Sequence, residues 1–362
     1  MSSHQIMIIV GNGFDTSVLN KYGDKITTSY ENFYRYFRYH YPNEDDNIFI
    51  EQMEKSKQEN KKDWSDFEAI LSIKLQENNN DSNLDINKLS RDLSKLQLAF
   101  SRFLNEVVND EIIKKLSEDT SKVPQGKKSL AYYSMSEFLG DLSEEDYKKN
   151  SFQSAVNNNE NLEVVFINFN YTSLLDNYVY LDKDTFDPVE FHTSGNNFIF
   201  KSNPKKFEGH KGFDDPYCRL HTSLFHPHGL QDVPKSILFG TEPEEGEPIN
   251  DIIKPFIKSY WAQCELNYSK FFDGTELFII YGCSIGESDK WWWKKIYDKI
   301  INNDAELIIY NYGSEEKDIV IEKFIRSCGI SMIDNESFKD KVYVINHGTD
   351  NSDEVIFLQL PK

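Results

Sequence analysis

Four widely separated apolar runs constrain this chain more than anything else in it: Ile6–Val10, Val164–Asn168, Leu277–Tyr281 and Leu307–Tyr310. Each is short and nearly unbroken by polar residues. Strands with one wet face alternate instead, so these read as strands buried on both faces. That situation arises when a mostly parallel sheet is covered by helices on either side. Three of the runs lead into Gly or Asn, the residues of tight turns. A weaker run, Val342–Ile345, adds a final strand. The expected class is α/β, a parallel sheet flanked by helices.

Between the first two runs lies a long region without strand character. "SYENFYRYF" (Ser29–Phe37), "DWSDFEAILSIKL" (Asp63–Leu75) and "INKLSRDLSKLQLAFSRFLNEVV" (Ile86–Val108) carry helical periodicity. In the last, Leu89, Leu93, Leu96 and Phe100 recur at steps of three and four. The organisation expected is a sheet domain over residues 1–40 and 151–362, with a helical insertion over 41–150. Trp64 and Glu68, four apart, are expected on one helix face. Glu77–Asn83 and Asn157–Glu163 read as loops. The piece Phe186–Lys235, with glycines, prolines and most of the histidines, reads as irregular.

The chain has 362 residues, room for one large or two modest domains. Its 60 acidic against 40 basic residues give a net charge of −20, which repels phosphate backbones and disfavours nucleic acid as a partner. No apolar run reaches membrane length, and the first residues carry no secretory pattern. Cys218, Cys264, Cys283 and Cys328 are scattered without a C-x-x-C pair, so neither a zinc ribbon nor a disulfide framework is expected. A cytoplasmic protein is expected.

Four stretches carry chemistry. In "IMIIVGNGFD" (Ile6–Asp15) a strand runs into Gly11-Asn12-Gly13, where glycine permits close backbone approach and a helix N-terminus offers free N–H groups to phosphate. Position 16 is Thr, not a third glycine, and the bland alternative is a structural turn. In "FINFNYTSLLD" (Phe166–Asp176), Asn168 and Asn170 stand at a strand's carboxyl end. They either cap a helix together with Thr172 or orient water and sugar hydroxyls. "LHTSLFHPHGLQDVPKSILFG" (Leu220–Gly240) holds His221, His226 and His228. No ligand set accompanies them, so no metal is expected. "LFIIYGCSIGESD" (Leu277–Asp289) is a second strand–glycine turn. In the following "KWWWKKIYDKI" (Lys290–Ile300), helix packing or a subunit contact is preferred to base stacking because of the charge.

Taken together and in order, these stretches resemble the AbiH family of bacteriophage abortive-infection proteins. The matching pieces are GNGFD (Gly11–Asp15), TSYENF (Thr28–Phe33), WSDFE (Trp64–Glu68), NFNYT (Asn168–Thr172), His228-Gly229, Phe239-Gly240 and YGCSIGESD (Tyr281–Asp289). The same order is also similar, more distantly, to sirtuins and sirtuin-like NAD hydrolases. That resemblance implies a Rossmann-like sheet with NAD at the strands' carboxyl ends. By position, it implies Asn170 and His228 as catalytic residues. It also implies cofactor contacts from Gly11, Asn12, Gly13, Phe14, Asp15, Asn168, Thr172, Gly240, Gly282 and Ser284. Thr172 stands where sirtuins carry an acid. Thr241 follows Phe239-Gly240 where they have Glu, with Glu242 one place late, and His221 is a rival to His228.

The function expected is a phage-defence effector that hydrolyses NAD to ADP-ribose and nicotinamide. Asn170 would position water and ribose, and His228 would act as general base. The alternatives are an NAD- or ADP-ribose-binding sensor without turnover, or a metal-dependent phosphoesterase or nuclease on Asp15, His228 and Asp289. A homo-oligomer or a defence-system partner protein is compatible with any of these.

Overall fold

The computed structural model describes residues 2–61, 64–80, 85–121, 129–180, 198–243, 251, 253–330, 336–349 and 354–361. Seven strands form one sheet: β1 (Ser3–Val10), β2 (Asn161–Asn168), β3 (Phe198–Ile199), β4 (Tyr217–Phe225), β5 (Thr275–Tyr281), β6 (Glu306–Tyr312) and β7 (Val342–His347). Their order is β3-β4-β2-β1-β5-β6-β7, with only β3 antiparallel. The six parallel strands, counted along the chain, therefore lie 3-2-1-4-5-6, the order of doubly wound α/β sheets. In such a sheet the chain leaves the central strand in opposite directions, and a crevice opens between the first strand and its late neighbour. Here that crevice lies between β1 and β5.

Both faces are covered, as the apolar runs require. Along β1, Ile6, Ile8 and Val10 enter one core while Met7 and Ile9 enter the other. The first core includes Val18 and Leu19 of helix α1 (Asn12–Tyr22) and Tyr178. The second includes Trp292 and Trp293 of the helix Lys290–Asn302, and Ile321 and Phe324 of the helix Lys317–Ser327. The tryptophans of "KWWWKKIYDKI" thus pack a helix onto the sheet; Trp292 and Trp293 are buried, and Trp293 Nε1 donates to the Gly286 carbonyl at 2.8 Å.

A third apolar cluster builds a helical layer from α2 (Tyr30–His40), α3 (Ile48–Gln58), α4 (Phe67–Asn80) and α5 (Ile86–Val107). Leu89, Leu93, Leu96 and Phe100 face its core, as their spacing predicts. Phe239, Phe256 and Ile257 from the later chain close the same cluster, so the layer is fastened to the sheet.

Several expectations are corrected. Helix α4 begins at Phe67, because the Asp66 carboxylate accepts from the backbone N–H of Glu68 and Ala69, both at 3.0 Å, and caps it there. Trp64 therefore precedes the helix instead of sharing a face with Glu68; it meets Tyr34 edge-on at 5.0 Å and Lys57 at 4.6 Å. Helix α4 continues to Asn80 through the start of the expected loop Glu77–Asn83, whose residues 81–83 lie outside the described residues. The expected loop Asn157–Glu163 gives way to β2 at Asn161. The segment Phe186–Lys235 contains β4; its residues 186–197 lie outside the described residues. No helix among the described residues is long and apolar enough to cross a membrane.

Candidate functional site

Register brings the site together. Val10 pairs with Asn168 on one side and Tyr281 on the other, so β1, β2 and β5 end level. Ile167 pairs with Phe225, which brings the end of β4 alongside. The turns after these four strands, carrying Gly11, Phe169–Thr172, His226–His228 and Gly282, therefore meet at one edge of the sheet. Above them lies a cavity of about 1240 Å³, roofed by residues of α2, α4 and α5.

The glycines hold two of these turns against each other. Gly11 N–H donates to the Tyr281 carbonyl at 2.9 Å, and Gly13 N–H to the Gly282 carbonyl at 2.8 Å. A Cβ on Gly13 would stand 2.6 Å from Gly282 Cα, and Gly282 itself adopts a φ of +67°. Both glycine amides are thus spent on the neighbouring turn, and the close approach that requires glycine at 13 is to β5's backbone.

Of the residues expected here, Gly11, Asn12, Asp15, Asn170, Thr172, His228, Gly282 and Ser284 line the cavity. The structure does not bring Gly13, Phe14, Asn168 or Gly240 to it. Phe14 is fully buried in the sheet core against Tyr178 at 5.4 Å. Asn168 is enclosed, its side-chain oxygen accepting from the Asn170 N–H at 3.0 Å. Gly240 has no room for a Cβ, which would lie 2.8 Å from the Phe256 carbonyl. His221 is exposed on β4, whereas His228 is buried and faces the cavity.

Asn170 Nδ2 donates to the Gly11 carbonyl at 3.1 Å and ties the β1 and β2 turns together. The Asp15 carboxylate is 1% exposed; one oxygen accepts from the Thr172 hydroxyl at 2.7 Å and the other has no protein partner. Burial pushes this carboxyl up to about 7, with Thr172 opposing. The two histidines of the H-x-H stretch take different partners: His226 lies 3.0 Å from Asp176, and His228 lies 3.0 Å from Asp289.

Around His228 runs a buried chain of charges. The imidazole stacks on Phe169 at 4.4 Å, and its Nε2 lies 3.0 Å from Asp289 Oδ1 but off the line of a hydrogen bond. Lys258 Nζ stands 3.4 Å from the same oxygen and 3.0 Å from Glu68 of α4. Glu68 also accepts from the Gly240 N–H at 3.3 Å. Burial first, then Lys258, pushes the His228 pKa down. Burial alone would raise the Asp289 carboxyl, but Lys258 and His228 outweigh it and hold it well below the usual range. Burial raises Glu68 to about 7 against the pull of Lys258. Glu242, the acid one place late after Phe239-Gly240, is likewise raised to about 7 by burial, with both oxygens accepting from Ser259 at 2.7 Å.

The sequence reading missed Lys258. Lys258 follows Pro255, Phe256 and Ile257, but Lys254 stands on their other side, and nothing in the sequence tells which of the two lysines is buried on an anion. Glu68 accepts from the Gly240 backbone N–H and also lines the cavity. Among the described residues, no group of three or more His, Cys, Asp or Glu side chains is arranged to hold a metal ion.

A doubly wound sheet whose turns support a large cavity, closed from above by an inserted helical layer, defines an α/β protein with a cleft at its central crossover. The chain belongs to the bacteriophage abortive infection AbiH family, which it matches over residues 7–311. That membership gives it a role in abortive infection of phage. No individual curated protein matches it.

Proposed function

We infer that the protein hydrolyses NAD to ADP-ribose and nicotinamide, and that depletion of NAD is how it arrests an infected cell. The observation that carries this reading is His228: a buried imidazole, depressed in pKa, beside an ionised Asp289, with a ring nitrogen that no protein group engages in line. The order of its motifs, similar to that of sirtuin-like NAD hydrolases, and the position of the cavity at the crossover crevice support the same substrate.

Water attacks the ribose carbon C1′ as its bond to the nicotinamide nitrogen breaks. Nicotinamide leaves neutral, keeping the bonding pair. His228 takes the proton that water gives up, and Asp289 stabilises the imidazolium so formed. The sugar passes through an oxocarbenium-like state, which buried carboxylates near the cavity floor favour electrostatically. The carbonyl of the Asn170 side chain, whose amide is held by Gly11, accepts from the water or a ribose hydroxyl. The unpartnered oxygen of Asp15 accepts from a second hydroxyl.

A second reading is binding of NAD or ADP-ribose without turnover. The commitment of Asn170 Nδ2 and of both glycine amides to the scaffold favours it. Purified protein incubated with NAD, with nicotinamide followed over time, separates the two. Release that vanishes in His228→Ala supports hydrolysis; tight binding with no release in the wild type leaves the sensor.

A further inference from the structure

The cavity is polarised. Its floor holds Asp15, His228 and Lys258, all buried, whereas Ser284, Glu287 and Arg326 on its rim are exposed. Two cations line that rim, Lys290 at the start of the helix Lys290–Asn302 and Arg326 at the end of the helix Lys317–Ser327. The Ser327 hydroxyl donates to the Ile285 carbonyl at 2.6 Å, which holds the end of one helix against the loop that begins the other.

Neither Lys290 nor Arg326 has an ion pair or hydrogen-bonded acceptor among the described residues, although the protein carries a net charge of −20. Their neighbours are paired. On the first helix Lys294 meets Asp298 and Lys295 meets Glu265. On the second, Lys317 meets Asp146 and Lys323 meets Glu315. The lysine's end lies beside Gly329, 2.5 Å from where a Cβ there would stand, and Gly329 holds a φ of +73° that suits glycine. An excess of acid elsewhere makes two unmatched cations lining one cavity a selective feature, even with the exposed Glu287 among its lining residues.

We propose that Lys290 and Arg326 form an anion subsite that takes the phosphate or pyrophosphate of a nucleotide whose other end lies over His228. The proposal deepens the NAD reading and rests on it for the bearer of the phosphate. A guanidinium forks onto phosphate oxygens and an ammonium adds a point charge, a pairing suited to a dianion. The basic rim complements the pyrophosphate, and the buried, mixed-charge floor is left to the nicotinamide riboside end. The molecule would thus be oriented before any chemistry.

The test is calorimetry on the full chain with inorganic pyrophosphate, ADP-ribose and adenosine as separate probes. Pyrophosphate and ADP-ribose should bind, each about tenfold more weakly in Lys290→Gln and in Arg326→Gln, as for loss of one charge-assisted hydrogen bond. Lys294→Gln, which removes a paired cation from the same helix, should change neither. The KM for NAD should rise in the Lys290→Gln/Arg326→Gln double variant with kcat nearly kept. Wild-type pyrophosphate affinity in a folded double variant, or no pyrophosphate binding by the wild type, overturns the subsite. Its failure is distinct from failure of the NAD reading: a double variant that hydrolyses NAD with unchanged KM removes only the subsite. A wild type that binds pyrophosphate through these cations but releases no nicotinamide removes only the hydrolysis.

Discussion

Glu68, on the helical layer, and Lys258, on the chain that returns to the sheet, form an ion pair of 3.0 Å with side chains 10% and 5% exposed. Lys258 also faces Asp289 at 3.4 Å, so one ammonium neutralises two buried carboxylates. Removing it leaves Glu68 with only the Gly240 N–H and Asp289 with His228, and breaking such a buried pair costs about 3–5 kcal/mol. Lys258→Met should therefore melt much earlier than the wild type at pH 8. The deficit should shrink at pH 5, where protonation relieves the carboxylates. The same substitution removes a cation that depresses His228, so its imidazole should titrate higher, read from ring carbon signals by NMR. A deficit independent of pH, with His228 unmoved, would show that Lys258 acts by packing alone.

Glu68→Gln probes the other end of the pair. The Gly240 N–H can still donate to the amide oxygen, and Lys258 keeps Asp289. Because the Glu68 carboxyl is raised to about 7, its charge is only partly present at neutral pH. Stability should change by no more than about 1 kcal/mol. Turnover should fall with little change in melting temperature, because the charge chain to His228 is altered. Activity that drops only in proportion to the folded fraction would confine Glu68 to holding the layer in place.

The interior of this sheet was legible because its strands are buried on both faces. Ile6–Val10, Leu277–Tyr281 and the other apolar runs read as buried strands by their shortness and the turn residues after them, and their ends mark where the cavity lies. Strand β4 was not legible. Its residues "YCRLHTSLF" are partly exposed near the sheet edge, so no apolar run announces them. Within the site, His228 and Asp15 were visible beside their glycines. The chain from Glu68 through Lys258 to Asp289 was not, because its members lie some 190 and 31 residues apart and only the packing of the helical layer brings them together. The glycines misled in one respect: a turn that packs on another turn asks for the same residue as one that approaches a phosphate.

Gly13→Val follows from that ambiguity. Its Cβ would fall 2.6 Å from Gly282 Cα, where both partners are backbone and neither can swing aside. The substitution should cost about 3 kcal/mol from overpacking, measured by denaturant unfolding. Lost NAD binding in such a variant would report a disturbed crevice. Asn12→Ala, at a residue that lines the cavity, is the better probe of contact. A Gly13→Val protein of wild-type stability would show that the two turns separate freely.

Asp15 gives stability a pH dependence of known sign. Its carboxyl rises from an ordinary value of 3.8 to about 7 on folding. Between those values the folded chain binds more proton than the unfolded one, so this residue's contribution falls as pH rises from about 4 to 7. Asp15→Asn should remove the dependence. The amide oxygen still accepts from the Thr172 hydroxyl, and no charge has to be buried. Melting temperatures across pH 5 to 8 should show the variant gaining on the wild type as pH increases. A variant that loses ground at pH 8 would mean that the ionised form is stabilised by partners beyond Thr172.

The last prediction separates the two polar residues at the cavity floor. His228 is assigned to proton transfer and Asn170 to positioning, so their removal should read differently. His228→Gln should keep NAD binding and lose turnover by about 10²–10⁴-fold, the range for a lost general base. Asn170→Ala should also slow turnover. It frees the Gly11 carbonyl, however, and loosens the β1 turn, so a modest loss of stability should accompany it. Asn170→Asp distinguishes position from charge. The carboxylate cannot donate to Gly11 and sets a buried anion against that carbonyl, so it should fold less well than the alanine variant at pH 8 and recover toward pH 5. Nicotinamide release, equilibrium binding of NAD and melting temperature, measured on the same preparations, give the three readouts. Loss of binding in His228→Gln equal to its loss of turnover would place the histidine in recognition instead of chemistry.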